Sequence, residues 1–442
     1  MKIKSMILIS IFSLIGVTNY AQKVEITEGL QLYCPPSVLR LDSSYIPHYP
    51  LVDFHQNYFR FYTSKSDNWQ IFYNKLIRME KEKKDKLNLY HIGGSHVQAD
   101  IYTHDVRTFL QTKNKALPGE RGWVFPFDLA KTNNPWNYEF KSDNSWTSHR
   151  VVVSSQRNTD YGTLGAKITC DDSLIGLVFK YDMTDHTPNI NKVRIYHNKG
   201  EFPFEFQWAE NEILFESQYT DTTVGYTEVK FLENFIDFDV QMSRMIEADY
   251  ELEIYGFQLL NDDPGISYNS IGINGAGLYS YLACNRFREQ LKTYPPDFFA
   301  FSVGTNDGNV PYSSFDPMVY KANLKKMMLW VYEANPNCAI LLTVPNDSYY
   351  RRRYLNENIG REREVIEELA REFEVPVWDL YGLMGELGSS KKWYLSGLMK
   401  SDMVHFSKEG YHLKGDLFFD AFEKYMREFR ELKSMKTDGG IR

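Results

Sequence analysis

His91-Ile-Gly-Gly-Ser95-His-Val-Gln-Ala-Asp100, entered from the apolar run Leu87-Asn-Leu-Tyr90, decides how the rest of this 442-residue chain is read. A strand that runs through two glycines into a helix sets the Ser95 hydroxyl on a tight turn at a sheet edge. There it stands beside a helix amino end, whose free N–H groups hold negative charge. Alone, the run also reads as an ordinary strand-to-helix turn. Three more blocks supply what a nucleophile needs.

In Gly272-Ile-Asn-Gly275-Ala-Gly277, a Gly-x-x-Gly turn opening a helix offers bare backbone N–H donors that can approach a substrate oxygen, or serves only as a turn. Ser302-Val-Gly304-Thr-Asn306-Asp307 ends a buried apolar run, where the Asn306 amide can donate to the same oxyanion or close an Asx turn. In Asp402-Met-Val-His405, a spacing of three lets the carboxylate hold one imidazole nitrogen and leave the other to take the Ser95 proton. A structural histidine is the plainer alternative.

The surrounding pattern places these blocks. Apolar residues at helical spacing predict helices over 67–84 and 97–112, on either side of the strand that ends at Gly93. From about Pro118 to Asn261 the texture changes to short alternating runs, at 149–154, 166–170, 175–181, 192–197, 202–208, 212–215, 223–231 and 250–260. Turn signals separate them, so a β-sandwich of the jelly-roll kind is expected. Strands at 300–303, 339–344 and 375–379 then alternate with helices at 320–333, 359–373 and 413–429. That alternation means a parallel sheet, so the α/β domain is split around the β-rich insert.

Forty-three per cent of the residues are hydrophobic and 24% charged, an ordinary globular composition, and the formal charge of −8 with no basic block argues against a nucleic-acid partner. Lys2, Lys4, the apolar run from Met6 to Val17 and Ala21 read as a secretion leader, too short to span a bilayer. Cleavage after Ala21 and export to the periplasm or medium are expected, with no membrane span. The four cysteines, Cys34, Cys170, Cys284 and Cys338, are too scattered to read as a disulfide framework, and no CxxC pair exists to bind zinc. His96, Asp100 and His104, four apart on one helix, form a rival metal-binding arrangement.

Taken together, the four blocks resemble the SGNH, or GDSL-like, hydrolase family. The resemblance implies a flavodoxin-like three-layer α/β/α fold, with the signature Ser, Gly, Asn and His falling on Ser95, Gly275, Asn306 and His405, and Asp402 as the triad acid. The Ser95 N–H would join Gly275 and Asn306 in the oxyanion hole. Gly94 stands where the family usually has Asp, which implies a change in loop rigidity. The inserted sandwich and the Gly-Ser-His-Val-Gln-Ala-Asp run are similar to bacterial peptidoglycan O-acetylesterases, which pair this domain with a carbohydrate-binding-like module.

The expected layout is a leader (1–21), an extended arm (22–60), the hydrolase domain in two parts (61–118 and 263–432), the insert (119–262) and a tail (433–442). The expected function is an exported serine esterase that removes O-acetyl groups from a glycan, peptidoglycan first, without metal or organic cofactor. Its partner is the O-acetylated glycan itself, and His96 and Arg121 are candidates for contacting it; a salt bridge is the plainer role for Arg121. The alternatives are an O-acetyltransferase, an esterase for lipids or another polysaccharide, and a glycan-binding protein with a relic site.

Overall fold

The structure is a computed structural model, described over residues 49–62, 66–112, 119–181, 189–209, 215–247 and 249–438. The expected leader, most of the arm and Cys34 lie outside the described residues.

Five strands make an all-parallel central sheet in the order Gly265–Gly272, Lys86–Gly93, Phe298–Ser302, Ala339–Val344, Val377–Asp379. By chain position this is 2-1-3-4-5, the flavodoxin-like arrangement, whose switch point lies beside the first strand. The first strand delivers Ser95. Alternation along it separates the two faces. Leu87 and Leu89 pack with Trp69, Phe72, Phe418 and Phe422, from the helices Asp67–Glu82 and Lys408–Asp438. Tyr90 and Ile92 pack on the other side with Leu324, Met328, Ile366 and Leu369, from Pro317–Ala334 and Asn358–Phe373. Three layers result.

Gly265–Gly272 was not foreseen as a strand. Its even positions Ile266 and Tyr268 are apolar, but buried Ser267 and Asn269 interrupt the pattern. Asn269 is satisfied by partners far off in the chain, accepting from the Trp123 N–H (3.2 Å) and donating to the Leu89 carbonyl (3.2 Å).

The helix expected over 97–112 is two helices, Ser95–Gln98 and Tyr102–Thr112. Asp100 breaks it with φ +47°. Gly93 and Gly272, paired across neighbouring strands, let the short first helix sit directly on the sheet end. A Cβ on Gly93 would meet Val97 Cγ2 at 2.4 Å, and one on Gly272 would meet the Gln98 nitrogen at 2.2 Å.

The insert is built from antiparallel strands in two sheets. One runs Thr147–Arg150, Ala166–Cys170, Leu252–Leu260, Ile190–His197, Tyr226–Phe235, Phe215–Asp221, with Gly122–Val124 also paired to Leu252–Leu260. The other runs Tyr138–Lys141, Leu174–Tyr181, Phe238–Arg244, Phe204–Ala209. From Ala166 to Leu260 the chain crosses between the sheets at nearly every step, as a jelly roll does. Phe140 and Phe238 of the smaller sheet meet Phe257 of the larger (centroids 4.9 and 6.3 Å), and Trp208 meets Phe231 (4.9 Å). Much of the aromatic content is spent on this core. The same apolar cluster continues into the central sheet through Tyr90 and Phe301.

Cys170, Cys284 and Cys338 are buried and unbridged. No helix among the described residues is long and apolar enough to cross a membrane.

Candidate active site

Ser95, His405 and Asp402 form one hydrogen-bonded line. Ser95 Oγ lies 2.8 Å from His405 Nε2, and His405 Nδ1 lies 2.8 Å from Asp402 Oδ2. An ionised carboxylate can only accept, so Nδ1 carries the proton and Nε2 presents its lone pair to the Ser95 hydroxyl. Asp402 also holds its own loop, because its Oδ1 accepts the N–H groups of Val404 and His405, each at 2.9 Å. Burial works against the charge on Asp402, but these backbone donors and the His405 ring outweigh it and hold its pKa below the ordinary carboxylate value. The acid therefore stays ionised beside the His405 imidazole.

The two residues expected to donate to the oxyanion, Gly275 and Asn306, lie on turns tied to one another through Ala276. Ile273 to Ala276 is a turn closed by the Ala276 N–H on the Ile273 carbonyl (3.0 Å), with Gly275 at φ +82°. Positive φ at that position makes it a type II turn, which glycine accepts freely, and the Gly275 N–H takes no part in the closing bond. Asn306 Nδ2 donates to the Ala276 carbonyl (2.9 Å); an amide nitrogen carries two hydrogens, so one remains for a substrate oxygen. Gly94 now has a local reason. A Cβ there would lie 2.8 Å from Asn306 Nδ2, so an Asp at this position would displace the donor.

Asp307 locks these blocks together and was given no role from sequence. Its carboxyl oxygens lie 3.0 and 3.1 Å from the Leu278 nitrogen, capping the helix Leu278–Leu282, and Gly277 leaves it room. Burial raises its pKa to about 7. The unfolded chain ionises this acid from about pH 4, whereas the folded protein holds the proton until about 7, so Asp307 lowers stability progressively as pH rises through that window. Asp307→Asn, which keeps an acceptor for Leu278, is expected to remove on the order of 2 kcal/mol of this decline. Thermal unfolding of both proteins at several pH values checks it; equal slopes would count against a buried neutral acid.

The break at Asp100 dissolves the rival metal arrangement. His96, Asp100 and His104 do not share one helix face, and no group of three metal-binding side chains occurs among the described residues. Asp100 is instead a buried anion that accepts from Arg107 (2.9 and 3.2 Å), Arg121 (2.7 Å), Asn137 (2.9 Å) and Thr103 (2.7 Å). Burial opposes its charge, but the two guanidinium groups hold its pKa far below the ordinary carboxylate value. Arg121 is thereby accounted for. It is 1% exposed and lies over the Tyr138 ring, so it braces the neck of the insert and does not open to the cleft as a substrate contact.

His96 is also buried, but it adjoins the reacting groups. Its ring centre is 5.2 Å from that of His405, its Nδ1 is 2.9 Å from the Tyr411 hydroxyl, and its Nε2 is buried with no partner. Burial, with Lys414 and His405 nearby, drives its pKa well below the ordinary imidazole value. A neutral His96 adds no positive charge beside the His405 ring. Lys414, buried over the Tyr102 ring, is itself pushed down to about 7 by burial.

Sequence reasoning also passed over Gln98, which lies on the turn after Ser95. It accepts the Asn274 N–H and donates to the Asn133 carbonyl, tying the turn that holds Gly275 to a loop of the insert. A polar residue three positions after the nucleophile was the available signal.

Residues 254–413 match the GDSL-like Lipase/Acylhydrolase family. No curated protein matches the chain by sequence. Among solved structures, a peptidoglycan O-acetylesterase superposes with a TM-score of 0.67 at 18% identity, covering 81% of this chain and 96% of that one. A lipase/acylhydrolase from Enterococcus faecalis (20% identity, 36% and 77% covered, TM-score 0.30) and a GDSL-like lipase from Bacteroides thetaiotaomicron (23%, 36% and 76%, 0.29) are similar over a smaller part. Over residues 254–413 the chain is thus similar to the GDSL-like lipase/acylhydrolase family, and over most of its length it shares the fold of the peptidoglycan O-acetylesterase.

Proposed function

We propose that this esterase is exported and removes O-acetyl groups from a glycan, with peptidoglycan as the first candidate, through a seryl acyl-enzyme. The observation that carries the reading is the line from Ser95 through His405 to Asp402. Ser95 Oγ attacks the acetyl carbonyl as its proton passes to His405 Nε2, while the N–H groups of Ser95 and Gly275 and the Asn306 amide hold the oxyanion. The tetrahedral intermediate collapses, His405 returns the proton to the departing sugar oxygen, and water then repeats the sequence to release acetate. Asp402 keeps the imidazole in the tautomer that both halves require. Export rests on the leader-like residues 1–21, and the choice of glycan on the family resemblance.

A relic site would be expected to have lost one of the required groups, whereas Ser95, His405 and Asp402 are all present and hydrogen-bonded to one another. The test is acetate release by residues 22–442 from O-acetylated peptidoglycan and from acetylated xylan, with Ser95→Ala as the blank. Ser95-dependent release from peptidoglycan is expected. Release from xylan alone would move the substrate, and release from neither would overturn the glycan reading.

A further inference from the structure

Trp136, on a loop of the insert that meets the hydrolase domain, has 41% of its surface exposed, although most other large aromatic side chains of the insert are buried. Its loop, Thr132-Asn-Asn-Pro-Trp136-Asn137, leaves the insert and returns to the hydrolase domain at several points. Gln98 holds the Asn133 carbonyl and reaches Thr132 Oγ1 (3.4 Å). Asn274, next to Gly275, donates to the same hydroxyl (3.2 Å). Trp136 Nε1 donates to the Asp100 carbonyl (2.9 Å), and Asn137 donates to the Asp100 carboxylate. Lys408, three residues beyond His405, sets its ammonium 5.6 Å from the centre of the Trp136 ring. The loop is thus fastened to the nucleophile turn and the glycine turn, and its exposed ring stands beside the start of the helix that follows His405.

An exposed tryptophan normally retains rotamer freedom that binding must remove. Here the indole N–H is bonded, the edge-on His104 ring lies 5.3 Å away, and the flanking Pro135 and Asn137 are buried. The ring is held in place before any ligand arrives. A flat aromatic surface suits the C–H face of a pyranose, and a neighbouring ammonium suits an anionic substituent on that sugar.

We propose that Trp136 forms a sugar-stacking subsite that holds a pyranose ring of the glycan beside the acetylated residue, making the insert loop a specificity element of the esterase. The proposal deepens the glycan-esterase reading and rests on it. The opposite case, an aromatic that only braces the loop, would make no distinction between long and small substrates.

Two measurements test it. The first compares Trp136→Ala, Trp136→Phe and the parent by the ratio of kcat/KM on O-acetylated peptidoglycan strands to kcat/KM on 4-nitrophenyl acetate. That ratio is expected to fall about tenfold in Trp136→Ala, chiefly through KM, with Trp136→Phe recovering part of it. The second measures binding of de-O-acetylated glycan strands by calorimetry to Ser95→Ala and to Ser95→Ala/Trp136→Ala. A matching weakening in the double variant is expected. An unchanged ratio together with unchanged strand binding would overturn the subsite. Because the binding arm needs no turnover, a glycan-esterase reading that failed through lack of acetate release would be told apart from a failed subsite.

Discussion

Ser95→Ala is expected to lower kcat on an aryl acetate by about a hundred-thousandfold while leaving the melting temperature within a degree or so of the parent. Oγ has one hydrogen-bond partner, His405 Nε2, at a half-buried site, so its loss leaves no buried donor or acceptor stranded in the core. The chemistry fares differently. Without Oγ there is no acyl-enzyme, and the oxyanion donors can assist only direct attack by water. His405→Ala is expected to fall in the same range. The double variant should be little worse than either single one, because groups that act as a unit are grossly non-additive. Steady-state rates on 4-nitrophenyl acetate, with scanning calorimetry alongside, provide the check; substantial turnover by Ser95→Ala would remove it as the nucleophile.

Asp100→Ala is expected to have the largest effect on stability, about 3–5 kcal/mol, because it leaves the Arg107 and Arg121 guanidinium groups, each 1% exposed, without their shared counter-charge. Asn137 loses an acceptor at the same time. Arg121→Met should cost less, since Asp100 keeps Arg107 and Arg121 no longer needs a partner. Urea unfolding of the two variants orders them, and an Asp100→Ala variant as stable as the parent would show that the buried ions had been hydrated. The effect reaches beyond stability. Arg107 also donates to the Tyr268 carbonyl (3.1 Å) and Ser270 Oγ (2.7 Å) on the edge strand, so losing Asp100 loosens the sheet end that precedes Gly275.

What could be read from sequence was what is local. Asp402 and His405 are three apart and hydrogen-bond within one turn, so spacing alone foretold their contact. Ser95, Asn306 and Gly275 sit just past strand ends, where glycine marks the turns. Ala339–Val344, six buried residues of which only Thr343 is polar, was placed to the residue. What could not be read depends on distant partners. Nothing in Ala99-Asp100 resembles a helix breaker, and the break is stabilised by Arg121 and Asn137, from beyond the start of the insert. Arg121 reads as a surface cation until Asp100 is seen beside it. Gly265–Gly272 looks like loop because Ser267 and Asn269 interrupt its apolar pattern, and their hydrogen-bond partners lie in other strands. Tyr138–Lys141 and Gly122–Val124 are too short for alternation to stand out.

The position of the insert also sets the order in which this chain can fold. The first strand of the central sheet must pair with Gly265–Gly272, and Asn269 and Leu89, bonded across that pair, are 180 residues apart. Closing so long a loop from an open coil is slow, because its entropy must be given up before the pairing returns anything. A jelly roll that forms first, with Gly122–Val124 zipped to Leu252–Leu260, brings the two ends together and reduces the search to a short gap. During synthesis the strand that carries Ser95 would emerge early and wait beside an unfilled edge, so the α/β half matures only after its guest domain has folded.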